Sequence, residues 1–269
     1  MSKQVKLSIH RIRITKGGDG SLVKNSGDAT IRSIGLQDQS TVYVKDLGPQ
    51  IAWRTVFIVE YLGPLLIHPL LYITRPYLYR SAPANASYLQ TLSCILICIH
   101  FLKREFETVF VHRFSASTMP ARNIFKNSFH YWILAGANIA GWIYSPTSPT
   151  AKEANNFLLF AGLIAYTVGE IGNLYAHLVL RGLRSSGGKE RGIPHGFGFG
   201  LVTCPNYMFE VLSWVGVYLS SALSWSVLLF ALVSTAQMMT WAKKKETNYR
   251  REFGGKYKKK KYTMLPGIW

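Results

Sequence analysis

An uncharged stretch in the last third of the chain limits the possible folds more than any other feature. From Val211 to Ala242, 32 residues pass without an Asp, Glu, Lys or Arg. Such a stretch is buried in a membrane or deep in a protein core. Charged residues make up only 16% of the chain, whereas about a quarter is usual in soluble domains. The sequence therefore predicts an all-α fold, a polytopic membrane helix bundle.

The distribution of basic residues separates a membrane protein from a nucleic-acid-binding one. The net charge is +18, which alone could suggest nucleic acid. However, five Lys and Arg residues lie in residues 103–126, four in 181–191 and ten in 243–261, against one in 145–155. This asymmetry follows the positive-inside rule. It predicts six spans with both termini in the cytosol and a hairpin near Ser220–Ser221, and no nucleic-acid partner.

The first apolar segment, from Ile51 to about Ile73, contains a carboxylate near its middle. A charge at this depth is costly and by default faces the protein interior, so Glu60 is a candidate functional residue. The alternative is a structural partner for a buried Arg or Lys. Pro64 cannot donate to the Glu60 carbonyl, which opens the helix locally. If Gly63–Pro64 forms a hairpin, the segment crosses twice and the bundle has seven spans.

The second apolar segment continues into a helix with a polar face. His100, Lys103 and Glu107 are three and four residues apart, so they share that face. One interpretation is a buried functional group. The alternative is a solvated Lys103/Glu107 pair, which is worth only about 0.3 to 0.5 kcal/mol.

A polar stripe follows one face of the predicted span from about Asn155 to Leu183. Its members recur every three or four residues: Tyr166, Glu170, Asn173, His177, Arg181 and Arg184. Lipid cannot face such a stripe, so it predicts a cavity that becomes positively charged towards its Arg181 end. The alternative is a set of interhelical hydrogen bonds. The basic loop that follows, residues 181–191, suits a ligand that carries phosphate.

Three polar residues lie where a Pro- and Gly-rich loop enters the uncharged stretch. Asn206 and Glu210 are four apart on one helix face, with Tyr207 beside them, so all three could point into one cavity. The alternative is a helix start with a capping carboxylate and an interfacial tyrosine.

Two other patterns predict no site of their own. Cys94, Cys98 and Cys204 lack the spacing of a zinc site or a disulfide framework, so we expect no metal. The GxGxG run over Gly196–Gly200 follows no strand and therefore fails the context of a dinucleotide-binding fold.

Residues 1–47 are polar and basic and predict a small β-containing fragment. Apolar residues alternate over Val5–Ile9, Gly17–Gly20 signals a turn, and Thr41–Val44 is β-branched and aromatic. Fewer than fifty residues bury little core.

Three long stretches carry a resemblance to a known family. VKDLGPQIAWRTVFIVEYLGPL, HFLKREFETVFVHRFSASTMPARNIFKNSFHYW and IPHGFGFGLVTCPNYMFEVLSW are similar, in this order, to the very-long-chain trans-2-enoyl-CoA reductases of fatty-acid elongation, members of the steroid 5α-reductase superfamily. The resemblance covers about Val44 to Trp269. It implies that residues 48–269 are a membrane reductase domain and that residues 1–47 are the remnant of a ubiquitin-like domain.

The resemblance also implies an activity and a location. The expected reaction is NADPH-dependent reduction of a very-long-chain enoyl-CoA in the endoplasmic reticulum membrane, with the active site facing the cytosol. The product would also feed sphingolipid synthesis. The expected partners are the enoyl-CoA substrate, membrane lipid and other elongation-cycle enzymes.

The same resemblance assigns roles to residues. It places the proton donor at Tyr207 and further catalytic residues at Lys103, Glu107, Glu60 and Gln50. The expected cofactor contacts are Asn173, Arg184, Arg191, Asn206, Glu210 and Tyr249. A phenol is protonated at neutral pH and can act as a general acid, and a cation such as Lys103 could stabilise the phenolate or the substrate enolate.

This chain departs from the family at two places, and two rival functions stay open. The N-terminal segment is shorter than usual, and Glu246 stands where family members often have His, three residues before Tyr249. The rivals are a steroid or polyprenol reductase of the same superfamily and a non-enzymatic membrane transporter. A transporter usually shows two related halves, and the sequence has no visible internal repeat.

Overall fold

A computed structural model describes residues 7–23, 30–83, 85–114, 117–185 and 192–269. The chain divides into two compact units. The first comprises Met1–Trp53 with Ala116–Asn123, and the second comprises Arg54–Ser115 with Ile124–Trp269.

The first unit contains short antiparallel strand pairs. Strand β1 (Ile12–Lys16) pairs with β2 (Val42–Asp46), and β3 (Gln50–Ala52) pairs with β4 (Thr118–Pro120). An Arg11–Asp46 ion pair joins the start of β1 to the end of β2. A ubiquitin-like origin for this segment stays a prediction.

The position of the first strand differs from the sequence expectation. Alternation over Val5–Ile9 predicted a strand there, but Ile9–Arg11 forms a short 3-10 helix and β1 begins only at Ile12. The Ser8 hydroxyl accepts a hydrogen bond from the His10 backbone N–H, a local bond that competes with strand pairing. Val5 lies outside the described residues. The predicted turn at Gly17–Gly20 is confirmed.

Helices build nearly all of the second unit. They are α1 (Trp53–Leu78), α2 (Tyr88–Phe106), α3 (Asn123–Ser128), α4 (Ile139–Ile143), α5 (Asn156–Gly182), α6 (Pro205–Ser220) and α7 (Trp225–Phe253). A π-helical turn, Glu107–Val111, extends α2, and a second, Phe129–Asn138, joins α3 to α4. Within the described residues the chain thus forms six continuous helical rods, and the predicted mainly helical fold is confirmed.

The membrane character of the chain is also confirmed. In the part of the chain that the structure describes, three helical stretches are long and apolar enough to cross a membrane: Trp53–Leu78, Asn156–Gly182 and Trp225–Lys256. The predicted hairpin is present, because α6 ends at Ser220 and α7 begins at Trp225. The total number of spans stays a prediction.

Helix α1 runs unbroken past Pro64, so the second hairpin considered at Gly63–Pro64 does not form. Trp132 explains why glycine stands there: a Cβ on Gly63 would lie 2.1 Å from the indole Cδ1. The Trp132 Nε1 donates to the Val59 carbonyl at 2.8 Å, which supports the helix just before the proline. One crossing for this segment is therefore the arrangement that the structure favours.

Close backbone contact between α5 and α6 determines how the two helices are aligned along their axes, and therefore which of their polar residues meet. A Cβ on Gly162 would lie 2.6 Å from the Ser220 backbone nitrogen, and one on Gly169 would lie 2.4 Å from that of Ser213. Small residues allow membrane helices to approach this closely. Asn173, one turn beyond Gly169, is thereby brought against the start of α6.

We expect Gly169→Ala to destabilise the protein by about 1 to 3 kcal/mol, because the added methyl group would force the two backbones apart. Thermal unfolding in detergent measures the effect. Gly182→Ala is the control, since it lies at the end of the same helix and its Cβ would meet nothing within 4 Å. Equal unfolding temperatures for the two variants would contradict the prediction.

The apolar core lies directly beside the polar residues. Ile97, Phe101, Trp214 and Phe230 are almost fully buried, and the Trp214 ring packs edge-on against Phe230 with centroids 4.5 Å apart. The His100 ring also meets Trp214 edge-on at 5.0 Å. The core therefore fixes one wall of the site described next.

Candidate active site

Nine polar side chains from α1, α2 with its π turn, α5 and α6 form one hydrogen-bonded group, which we call the polar cluster. Its members are Tyr61, His100, Lys103, Arg104, Glu107, Glu170, Asn173, His177 and Glu210. Lys103, Glu107, Asn173 and Glu210 were predicted as site residues from the sequence, and the structure brings all four together.

Lys103 connects α2 to α5. Its Nζ donates to Asn173 Oδ1 at 2.7 Å and lies 2.9 Å from Glu170 Oε2. Glu107 Oε1 is farther away, at 3.7 Å, and the Glu107 side chain is fully buried. The solvated Lys103/Glu107 pair considered from the sequence is therefore wrong, since the pair lies inside the bundle.

Arg104 is a cluster member that the sequence reasoning missed. Its Nη1 donates to Glu107 Oε2 at 2.7 Å and its Nη2 to the Tyr61 hydroxyl at 2.8 Å. The guanidinium also lies 5.0 Å from the centroid of the Tyr61 ring. The available signal was its i,i+3 spacing to Glu107, which on a helix places the two side chains together.

His100 lies between two carboxylates. Its Nδ1 is 2.7 Å from Glu170 Oε1 and its Nε2 is 3.2 Å from Glu210 Oε1. Ionised carboxylates only accept hydrogen bonds, so a doubly protonated ring satisfies both contacts. The cluster then holds three carboxylates against three cations, a balance suited to a buried site.

The polar stripe on α5 makes interhelical hydrogen bonds, which was the alternative interpretation. Tyr166 donates from its hydroxyl to the Leu96 carbonyl at 2.7 Å. Glu170 and Asn173 contact α2 and α6, and His177 Nδ1 lies 3.1 Å from Glu107 Oε2. The stripe therefore joins three helices over this length.

Asn173 also links α5 to the first turn of α6. Its Nδ2 donates to the Asn206 carbonyl at 2.9 Å and to Glu210 Oε2 at 3.1 Å. The Asn206 side chain is buried, and its Oδ1 has no hydrogen-bond partner among the described residues. This first turn is thus held in place while one amide acceptor is left unused.

Tyr207 faces α7, whereas the Glu210 side chain contacts Asn173 on α5. The Tyr207 ring lies 6.3 Å from that of Trp241, and Lys245 Nζ lies 4.8 Å from the Tyr207 ring centroid. The three side chains therefore do not point into one cavity as the sequence suggested, because neighbouring positions on a helix point about 100° apart. Lys245 was not singled out, since the sequence shows it only as one of three consecutive lysines.

Two further predicted catalytic residues lie outside the polar cluster. Glu60 is almost fully buried, and its Oε2 has no hydrogen-bond partner among the described residues. It adjoins the cluster member Tyr61 in the chain. Gln50 belongs to the first unit, where its Nε2 donates to the Leu47 carbonyl at 3.1 Å.

Two of the remaining predicted cofactor residues, Arg184 and Tyr249, are not members of the polar cluster. Arg184 follows the end of α5, and its Nη1 donates to the Arg113 carbonyl. Tyr249 lies on α7 with its ring centroid 5.3 Å from that of Tyr257. Arg191 lies outside the described residues.

Glu246, which stands where the resemblance led us to expect His, has a defined structural role. It is buried, and its Oε2 accepts hydrogen bonds from the Thr203 hydroxyl at 2.5 Å and the Tyr257 hydroxyl at 2.6 Å. Burial raises the pKa of the Tyr257 hydroxyl, and its bond to the carboxylate raises it further. Tyr257 therefore stays protonated, and Glu246 ties α7 to the loop before α6 and to the C-terminal segment.

Glu107, His112 and His177 place possible metal ligands within 4.8 Å of one another. The Glu107 oxygen nearest His177 already accepts from the Arg104 guanidinium. A fixed cation at that oxygen opposes binding of a second one, so we treat Glu107 and His177 as members of the polar cluster only.

Comparison with known proteins identifies the family. Residues 117–269 match the family described as 3-oxo-5-alpha-steroid 4-dehydrogenase. The chain belongs to this steroid 5α-reductase family. It is 38% identical to a Dictyostelium discoideum protein named very-long-chain enoyl-CoA reductase, over 99% of this chain and 88% of that protein.

Other relatives carry related names. A Caenorhabditis elegans protein named probable very-long-chain enoyl-CoA reductase is 39% identical, over 90% of this chain and 80% of its own length. A human protein named trans-2,3-enoyl-CoA reductase-like is 33% identical, over 89% of this chain and 67% of its own length. The resemblance stated from the three sequence stretches is thus confirmed.

Proposed function

We propose that this chain reduces the trans-2 double bond of very-long-chain enoyl-CoA with NADPH, as the last reductive step of fatty-acid elongation. The names of the relatives support this reaction class. One observation on the molecule carries the proposal: the first turn of α6 contains the Asn206 amide oxygen, which is buried and has no hydrogen-bond partner among the described residues, and the next residue is Tyr207, whose phenol lies beside a cation. These are a binding group for a nicotinamide carboxamide and a proton donor.

The residues fit a nicotinamide cofactor. Asn206 Oδ1, which has no partner among the residues that the structure describes, is complementary to a carboxamide N–H. A buried acceptor that lacks a donor costs free energy. Arg184 and Arg191 would bind cofactor phosphate, with Glu210 and Tyr249 completing the contacts. When bound, the cofactor supplies the hydride for the β-carbon of the substrate.

The chain's own residues then have two tasks. Tyr207 gives its proton to the α-carbon as the enolate collapses. Lys103 fixes Asn173, and Asn173 holds the Asn206 carbonyl, so the polar cluster keeps the first turn of α6 in position. A preorganised site of this kind avoids reorganisation during the reaction. In this arrangement Lys103 and Glu107 act by positioning.

The CoA part and the acyl part of the substrate suit a charged and an apolar environment, respectively. The phosphates of its CoA suit the basic loop at residues 181–191, because Arg binds phosphate through paired N–H donors. The acyl chain suits the apolar space between helices and lipid. We propose that the protein lies in the endoplasmic reticulum membrane with this site on the cytosolic side. It would act beside other elongation-cycle enzymes, and its product would also feed sphingolipid synthesis.

Detergent-purified full-length protein tests the reaction. We expect NADPH oxidation that depends on a long-chain trans-2-enoyl-CoA, with the saturated acyl-CoA as the product found by mass spectrometry. A 4-ene-3-one steroid and a polyprenol serve as competing substrates. Reduction of either in preference to the enoyl-CoA would assign the protein to another branch of the superfamily, and a lack of NADPH oxidation with all three would contradict a reductase.

We expect Arg184→Ala to raise the KM for NADPH about tenfold or more, because a charge-assisted hydrogen bond contributes about 1.5 to 3 kcal/mol. Steady-state kinetics at saturating enoyl-CoA measure the change. Lys152→Ala serves as the control. It removes a charge from an exposed side chain in the weakly basic loop at residues 145–155, which the predicted topology places on the other side of the membrane. An unchanged NADPH requirement in the Arg184 variant would remove this residue from the site.

We also expect both termini to lie in the cytosol, with six spans in all, because of the Lys and Arg asymmetry. Glycosylation-site scanning checks this: added acceptor sites at either terminus should stay unmodified, whereas one in the loop at residues 145–155 should be modified. Modification of a C-terminal acceptor site would contradict the topology.

A further inference from the structure

The cation beside Tyr207 belongs to α7. Lys103, the lysine of the polar cluster, contacts other residues. Lys103 directs its ammonium to Glu170 and Asn173 on α5. The ammonium that lies over the Tyr207 ring, 4.8 Å from its centroid, belongs to Lys245.

Of three consecutive lysines on α7, one alone is placed on Tyr207. Lys243 lies over the Trp269 ring at 5.5 Å, and Lys244 is exposed. Two contacts fix the orientation of the third. Trp241, one turn before Lys245, packs against the Tyr207 ring, and Glu246, the next residue, is held by Thr203 and Tyr257.

The surroundings of the Lys245 ammonium are unusual for a partly buried cation. Its electrostatic neighbours are Tyr207, Cys204 and Tyr249, and among the described residues no carboxylate forms an ion pair with it. A cation without a counter-ion is costly in such a place. A negative charge that develops on the Tyr207 oxygen would be the charge that this ammonium can balance.

We propose that Lys245 is a positioning residue for the proton transfer, acting through Tyr207. This inference rests on the proposed function. The Tyr207 O–H bond breaks, its proton forms the new C–H bond at the α-carbon of the substrate, and the electron pair stays on the phenolate oxygen. The Lys245 ammonium stabilises this phenolate and returns a proton to it, and the resulting amine takes a proton from water.

Four variants test the inference: Lys245→Met, Lys245→Arg, Tyr207→Phe and the double variant Lys245→Met/Tyr207→Phe. We expect Lys245→Met to lower kcat by about 10²-fold, the lower end of the effect that the loss of one stabilising donor has in other active sites, and Lys245→Arg to recover much of it. In the Tyr207→Phe background, Lys245→Met should have little further effect, because the phenolate that it stabilises no longer forms. Lys244→Met, which removes the same charge one residue away, is the control.

Two further measurements separate this role from a structural one or a cofactor-binding one. The Kd for NADPH, followed by protein fluorescence, should be unchanged by Lys245→Met, and the solvent deuterium isotope effect on kcat should increase. A weakened NADPH affinity with normal kcat at saturation would overturn the inference, as would fully additive effects in the double variant. If wild-type protein reduces enoyl-CoA and Lys245→Met does so equally well, the inference alone fails. If wild-type protein reduces no enoyl-CoA, the proposed function fails and the inference with it.

Discussion

Tyr207→Phe is expected to lower turnover of the enoyl-CoA by about 10² to 10⁴, the usual contribution of a general acid. Phe keeps the ring that packs near Trp241, so the protein level and the Kd for NADPH should survive. Residual activity is expected, since water can deliver the proton slowly. Single-turnover kinetics with saturating NADPH measure the chemical step directly.

The control for this substitution is Tyr218→Phe. It removes a hydroxyl from the same helix at a partly buried position packed against the apolar core, and it should leave turnover near the wild-type value. The opposite result would assign the proton route elsewhere. If Tyr207→Phe keeps normal turnover, the role given to Tyr207 is wrong, and loss of turnover in Lys103→Met that is still folded and saturated with NADPH would then direct the proton through the polar cluster.

Lys103→Met is expected to destabilise the protein by about 3 to 5 kcal/mol, because it leaves buried partners without their cation. Glu170 Oε2 would lose its ion pair, and Asn173 Oδ1 would lose its donor. Since Asn173 holds the first turn of α6, NADPH binding should also weaken. Thermal unfolding in detergent and fluorescence titration with NADPH measure the two effects.

A double variant distinguishes loss of the Lys103–Glu170 ion pair from loss of packing as the cause of the lower stability. The double variant Lys103→Met/Glu170→Met removes both charges and should regain part of the lost stability, because neighbouring groups of one network do not act additively. Lys126→Met, at an exposed position on α3, is the control for loss of charge alone. An unfolding temperature for Lys103→Met equal to that of the control would show that the buried pair contributes little.

The sequence alone determined the class of the protein and most of the polar cluster. The uncharged stretch and the Lys and Arg asymmetry predicted helices in a membrane and the turn after Ser220, because burying charge in lipid is costly at any position. Periodicity placed Glu170, Asn173 and His177 on one face of α5, since spacing along a helix determines which side chains share a face. Three long motifs then indicated the family.

Only the tertiary structure decided which face meets which neighbour. Spacing put Asn206 and Tyr207 side by side, but packing of α6 between α5 and α7 joins the Asn206 backbone carbonyl to Asn173 and places the Tyr207 ring beside Lys245. The sequence could not distinguish Lys245 from the two lysines before it, because its role depends on the rotation of α7. That rotation is fixed by Glu246 with Thr203 and Tyr257, contacts between residues 11 and 43 positions apart, and such distances in the chain carry no local pattern.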